Sequence, residues 1–460
     1  MTAAEDSLSP ALLTSLLQRH LDPALECVAL QRATGGNAQE VWFADAVTPD
    51  GTTRSLVVRR SAAAGTADET DRSNEYAVLK ALAGQGFPVP AVHWLESDPS
   101  ALGRPYFVMD RLPGRSPGRL GAGERREISR QIGHWLARLH AVDVASLPHE
   151  LSRPPDRSAA TRTELARWRE RYLERRLAPI PMLGALLAWL VAHAPESAAQ
   201  PCLVWGDAGP HNVLVDGDRV TALLDWEFAH LGDPLEDLGV AVWSCLDTYD
   251  PEDVVAAYEA EAGPVDRLAL RHFEVFACVD RSIMLLGGIA AYTRGHARPS
   301  LAALGQHLLL DSLERAAVAA GWGRLEPPAP ATSPAPSVLR LRPDVPETLA
   351  GLAAFLRGEV VAAVEDARLR RELKSAAALL DASARRASCE GPVLARREAE
   401  LAELLRGGED DLEKLAVRAE LERSPARASL RRHLLADLAA QRGLLEPLAR
   451  FYAPEPAPAQ

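Results

Sequence analysis

Lysine is almost missing from this chain: Lys80, Lys374 and Lys414 are the only three in 460 residues, so any fixed cation it needs must be arginine. Cysteine is nearly as scarce. Cys27, Cys202, Cys245, Cys278 and Cys389 are odd in number, widely scattered and never in C-x-x-C spacing, which indicates neither a disulfide framework nor a zinc site. Reduced, mostly buried thiols are expected. No run approaches the ~18 apolar residues of a membrane span, and the N-terminal segment lacks the basic start and apolar stretch of a secretory leader. A cytoplasmic protein with no membrane partner is therefore expected. A basic surplus is missing too. The net charge is -12, and because acidic and basic residues balance beyond position 337, the deficit belongs to the first 337 residues. Nucleic-acid binding rests on neutralising phosphates, which argues against a nucleic-acid partner.

What remains is ordinary globular material, 47% hydrophobic and 25% charged, long enough for two or three folded units. Proline and small residues in EPPAPATSPAPS mark an extended linker over 327–337, and APEPAPAQ marks a tail over 453–460. Between about 26 and 60, ECVALQRA, EVWFADA and RSLVVRR alternate apolar and polar positions and predict an antiparallel meander. SNEYAVLKALAGQG predicts a helix with Tyr76, Leu79 and Leu82 on one side, and VPAVHWLE and GRPYFVMDRL predict further strands. From about 121 the periodicity turns helical, interrupted by NVLVDGDRVTALLDW, two apolar runs joined by Asp216-Gly217, a strong hairpin signal. Beyond the linker, helical stripes predict a small all-α domain over 338–452.

The chemistry concentrates in LVWGDAGPHNVLVDGDRVTALLDWE. Asp207 ends a strand, Asn212 follows five residues later, and a hairpin leads to Asp225. Phosphoryl transfer needs a carboxylate to orient or deprotonate the attacking hydroxyl and oxygen ligands to hold magnesium on the phosphates. The order D-x4-N, hairpin, D supplies both, and the antiparallel strands bring Asn212 and Asp225 to one end. His211 has no second histidine at ligand spacing, so it is expected to brace the loop.

GDAGPHNVLV and LLDWEFAHLGDPLEDLG resemble the signatures of the aminoglycoside phosphotransferase and choline kinase relatives, in particular the phosphotransferase domains associated with acyl-CoA dehydrogenases, over residues about 25 to 320. The resemblance implies an α+β, protein-kinase-like two-lobed fold: a small antiparallel-sheet N-lobe over 1–112, a mainly helical C-lobe over 113–326, then the all-α domain. It implies ATP and Mg²⁺ as cofactors, a small-molecule hydroxyl as acceptor, Asp207 as catalytic base, and Asn212 and Asp225 as metal ligands. Glu227 would support the metal site, Asp233 would cap a helix and Asp237 would brace the catalytic loop. In the N-lobe, Gly35 and Gly36 would let backbone N–H groups approach the phosphates, although a GG pair serves a turn equally well. Arg59 would orient the phosphates and pair with Glu75, with Arg60 the register alternative. Backbone groups of Asp110, Arg111 and Leu112 would form the hinge at the adenine edge.

Three departures from the family pattern stand out. Trp205 replaces the histidine before Gly-Asp, which is expected to cost a hydrogen bond that braces the metal loop and to replace it by packing. Ala38 and Gln39 follow Asn37 where the family has serine and asparagine, and AGPHN lacks the frequent His or Phe after the aspartate. These departures admit a second reading, a nucleotide-binding scaffold that recruits a partner through its C-terminal helices. That helical domain resembles one found beside such phosphotransferases, which implies no chemistry and leaves homodimerisation or docking of a partner enzyme open. For the acceptor, the resemblance points to a hydroxyacyl thioester, while the acidic balance slightly favours a cationic acceptor such as an aminoglycoside.

Overall fold

A computed structural model of the chain describes residues 8–33, 40–61, 72–99, 102–243, 248–293, 299–324, 345–385 and 427–444. Gly35, Gly36, Ala38 and Gln39, the segment 327–337, the tail 453–460, Cys245 and Cys389 lie outside the described residues. The chain divides into two compact units, Met1–Thr163 with Pro195–Ala277, and Glu164–Ala194 with Cys278–Gln460.

The first unit opens with α1 (Pro10–His20), whose start is fixed by Pro10 at the first helical position and by the Ser9 hydroxyl accepting from Leu12 N. The predicted meander follows as β1 (Glu26–Arg32), β2 (Glu40–Val47) and β3 (Thr53–Arg60), and then come α2 (Arg72–Ala83), β4 (Val92–Glu96) and β5 (Tyr106–Asp110). All five strands join one antiparallel sheet in the order β1-β2-β3-β5-β4.

Period-two alternation decides what each face of that sheet holds. Leu56 and Val58 of β3 turn towards Leu13, Leu16 and Leu17 of α1, together with Tyr106 and Val108. Val57 turns the other way, with Phe107 and Met109, onto Val78, Leu79 and Leu82 of α2. Arg59 therefore shares the α2 face and Arg60 the α1 face.

The helical part of this unit contains α3 (Ala122–His140), the start of α4 (Arg157–Arg175), α6 (Leu235–Trp243), α7 (Pro251–Ala262) and the start of α8 (Arg267–Thr293). Two short strand pairs lie among them: β6 (Cys202–Val204) with β9 (His230–Gly232), and β7 (Val213–Asp216) with β8 (Arg219–Leu223). One expectation is corrected here. By length and composition α8 is apolar enough to cross a membrane, but 67% of its apolar window is buried, so core packing accounts for its composition.

The second unit contains α5 (Pro181–Ala192), α9 (Pro299–Ala319) and the helices Val345–Phe355, 367–385 and Arg427–Leu444. Ala302 and Ala303 of α9 pack against Ala378, Leu379 and Ala382. Ser300 donates from its N–H and its hydroxyl to the Glu372 carboxylate at 3.0 and 2.7 Å. The C-terminal helices thus share a compact unit with α9 and with residues 164–194.

Candidate active site

The β7–β8 hairpin turns at Asp216-Gly217, where Gly217 takes the positive φ of 58° that the tight turn requires. Val213 pairs with Leu223, and Leu224 N donates to Asn212 O at 2.8 Å, so Asn212 and Asp225 lie at one end of the hairpin. The loop after β6 brings Asp207 to the same place. Asn212 Nδ2 donates to Asp207 Oδ2 at 2.9 Å and to Asp207 O at 3.0 Å, and His211 Nε2 lies 2.9 Å from Asp207 Oδ2. His211 thus contacts the carboxylate of Asp207. With its amide nitrogen engaged, Asn212 keeps its Oδ1 for another partner.

Asp237, fully buried on α6, holds the loop from behind. Its carboxylate accepts from Trp205 N at 2.7 Å and Gly206 N at 2.8 Å. His140 Nε2 lies 3.1 Å from the same carboxylate, and His140 Nδ1 lies 3.0 Å from the Tyr258 hydroxyl. Asp233 Oδ1 accepts from Leu235 N at 3.0 Å and so caps α6. Gly206 cannot be replaced cheaply: its φ is 86°, and a Cβ would come within 2.7 Å of Phe228 O.

Trp205 behaves differently from the sequence expectation. Its ring stacks on Trp226 at 5.2 Å and 19°, but its indole N–H also donates to Leu224 O at 2.9 Å and to Asp225 O at 3.2 Å. The bond to the loop that carries Asp225 is supplied by another donor, and packing adds to it.

On the α2 face, Arg59 NH1 lies 2.8 Å from Glu75 Oε1, while its NH2 donates to Asp225 Oδ1 and lies 3.6 Å from Glu227 Oε2. Burial opposes the charge on Arg59, but Asp225, Glu75 and Glu227 more than offset this and hold its pKa above the ordinary arginine value. Arg72 completes the group. It pairs with Glu75 and lies 3.4 Å from Glu227. Burial raises the pKa of Glu75 against the pull of Arg59 and Arg72. Burial and then the Asp225 charge push Glu227 up to about 7. Arg60 is excluded from this group by register: it turns to the opposite face, donating to Glu40 at 2.7 Å and to Leu102 O at 2.8 Å.

At the predicted hinge, Asp110 N donates to Ala91 O and Arg111 N to Ser55 O, both at 2.9 Å. These two N–H groups are engaged within the sheet, and Leu112 follows where the strand has ended. The Asp110 carboxylate lies 2.7 Å from His93 Nε2, and the Arg111 guanidinium lies 4.9 Å from the Phe43 ring centroid.

No group of three or more His, Cys, Asp or Glu side chains suited to a metal occurs among the described residues. Asn212 and Asp225 instead offer two hard oxygen donors. Such a sparse set suits magnesium, which retains water and phosphate ligands.

A small antiparallel sheet with its helix, followed by a helical lobe carrying Asp-x4-Asn, a hairpin and Asp, defines a protein-kinase-like phosphotransferase. The profile of the phosphotransferase enzyme family matches residues 29–273, more than half of the chain, and the chain belongs to that family. Among curated relatives, acyl-CoA dehydrogenase family member 11 of Rattus norvegicus is 34% identical over 172 residues, covering 36% of this chain and 22% of the relative. Acyl-CoA dehydrogenase family member 10 of Mus musculus is 32% identical over 185 residues, covering 38% of this chain and 17% of the relative. The chain therefore spans about a fifth of the length of the curated relatives it matches. A solved structure from Ralstonia eutropha, described as a candidate aminoglycoside phosphotransferase, superposes with a TM-score of 0.55 at 23% identity, covering 68% of this chain and 99% of that one. That likeness shows the fold.

Proposed function

We propose that the chain transfers the γ-phosphoryl group of ATP to a hydroxyl of a small molecule, with Asp207 as the group that orients and deprotonates the acceptor. The carrying observation is the Asp207 carboxylate, held by Asn212 and His211 beside the end of the hairpin that leads into Asp225. Asn212 and Asp225 would hold Mg²⁺, which when bound neutralises charge on the phosphates. Arg59, kept in place by Glu75, carries a fork of donors that exchanges the Asp225 carboxylate for phosphate oxygens. Asp207 accepts the hydroxyl proton as the oxygen attacks, and Asn212 and His211 hold its carboxylate in place.

The names of the curated relatives support a hydroxyacyl thioester, of the hydroxyacyl-CoA type, as acceptor ahead of an aminoglycoside. The test is ADP release from Mg-ATP with a panel of hydroxyacyl thioesters, sugars, amino alcohols and aminoglycosides. Turnover is expected with one class, and Asp207→Asn should lower kcat by about a hundred- to ten-thousandfold. Unchanged turnover in that variant would remove Asp207 from its role. Nucleotide-dependent thermal stabilisation without turnover on any acceptor would favour the nucleotide-binding scaffold.

A further inference from the structure

We infer that Trp205 is a positioning residue of the phosphoryl-transfer site, whose indole N–H clamps the backbone of Asp225 in the left-handed conformation that the metal loop uses. The inference rests on the phosphotransferase reading of that site.

Asp225 has a φ of 62°, the only positive value for a non-glycine residue among the described residues. An L-residue with a Cβ pays sterically for that region, so something must hold it there. The two carbonyls that accept from Trp205 Nε1 belong to Leu224 and Asp225, the peptide groups immediately before and after the Asp225 Cα. The orientation of those two peptide planes is what φ and ψ of Asp225 describe. One donor shared between them therefore restrains that pair of torsions together, and with them the direction in which the Asp225 Cα–Cβ bond leaves the chain.

The clamp is itself held still. Trp205 is buried, its backbone N–H donates to Asp237, and its ring lies against Trp226, whose own indole donates to Leu223 O at 3.1 Å. Two stacked indoles thus satisfy three consecutive carbonyls, those of Leu223, Leu224 and Asp225. An indole N–H is a donor only, with no tautomer and no protonation equilibrium. The tryptophan is one donor exchanged for another.

Trp205→Phe keeps the ring and the stack and deletes the donor, whereas Trp205→His restores a ring N–H. Calorimetry with a non-hydrolysable ATP analogue, with and without Mg²⁺, is the first readout. For Trp205→Phe, binding with Mg²⁺ should weaken by about five- to hundredfold, the range expected when a buried carbonyl loses its partner, and binding without Mg²⁺ should stay level. Trp205→His should recover a substantial part of that loss. Hydrogen exchange is the second readout: amides of 224–228 should exchange faster in Trp205→Phe, with the remaining segments unchanged.

Wild-type Mg²⁺-dependent affinity and exchange in Trp205→Phe would overturn the inference, as would equal damage in the two variants, which would show that only ring volume matters. If Trp205→Phe does not fold, Trp205→His decides alone: Mg²⁺-dependent affinity within about tenfold of wild type supports the clamp, and a larger loss overturns it. Neither readout needs an acceptor. Failure to find turnover would count against the phosphotransferase reading, while these two measurements would still decide Trp205.

Discussion

Adjacent residues of β3, Arg59 and Arg60, each anchor a buried charge cluster, and the two clusters have opposite balance. On the α2 face, Glu75, Asp225 and Glu227 meet Arg59 and Arg72, three carboxylates against two guanidinium groups. On the α1 face, Arg32, Arg60 and Arg104 converge on the single carboxylate of Glu40. The second arrangement ties β1, β2 and β3 to the loop before β5 through Glu40 and the Leu102 carbonyl. The first joins the sheet and α2 to the loop after β8 and, with all three acids ionised, has a negative charge to spare, which suits a site proposed to receive a cation. One strand thus carries two clusters, one structural and one proposed to be functional, separated only by the pleat.

The largest effect that would break this contrast lies at Arg59. Arg59→Ala should lower turnover by on the order of a hundred- to a thousandfold, as when a preorganised electrostatic donor is removed. The loss of stability should be smaller, because Arg72 stays on Glu75 and Glu227. Glu40→Ala should do the reverse. Removing the acid on which three guanidinium groups converge should cost about 3–5 kcal/mol in denaturant-induced unfolding and leave the KM for ATP unchanged. If both variants lose activity and stability in the same proportion, the clusters are not distinct.

How much of this was legible in the sequence depends on how local each signal is. Asp207, Asn212 and Asp225 were legible because a strand end, a five-residue step and a hairpin are short-range geometry, and the register Val213 to Leu223 brings Asn212 and Asp225 to one end. The choice between Arg59 and Arg60 was not legible, because it depends on which face of β3 meets α2. Arg72 carries a weaker local signal, its position three residues before Glu75 on the same helix face. Its second partner, Glu227, is far along the chain, so their pairing has no local signature. In the sequence Trp205 suggests packing alone, because tryptophan is mostly ring. Only the folded loop shows where the single N–H points. The grouping of residues 164–194 with 278–460 likewise follows from long-range contacts that composition does not record.

The smallest effect concerns how the α2-face cluster carries its surplus charge, and Glu227 is the residue to test. Burial, and after it the Asp225 carboxylate, push its pKa up to about 7, with Arg59 and Arg72 pulling the other way. In the unfolded chain a glutamate titrates near ~4.3. Between roughly pH 4.5 and 7 the folded protein therefore holds more protons than the unfolded chain, and stability falls as pH rises through that window. Glu227→Gln removes this titration while keeping the shape of the side chain. The variant should match the wild type near pH 5 and gain on it by about 1–3 kcal/mol at pH 8, read as a narrowing of the wild type's pH-dependent loss in unfolding midpoint. Parallel pH profiles for the two proteins would mean that Arg59 and Arg72 already keep Glu227 ionised across this range. The cluster would then hold its third carboxylate as a full negative charge even before a cation arrives.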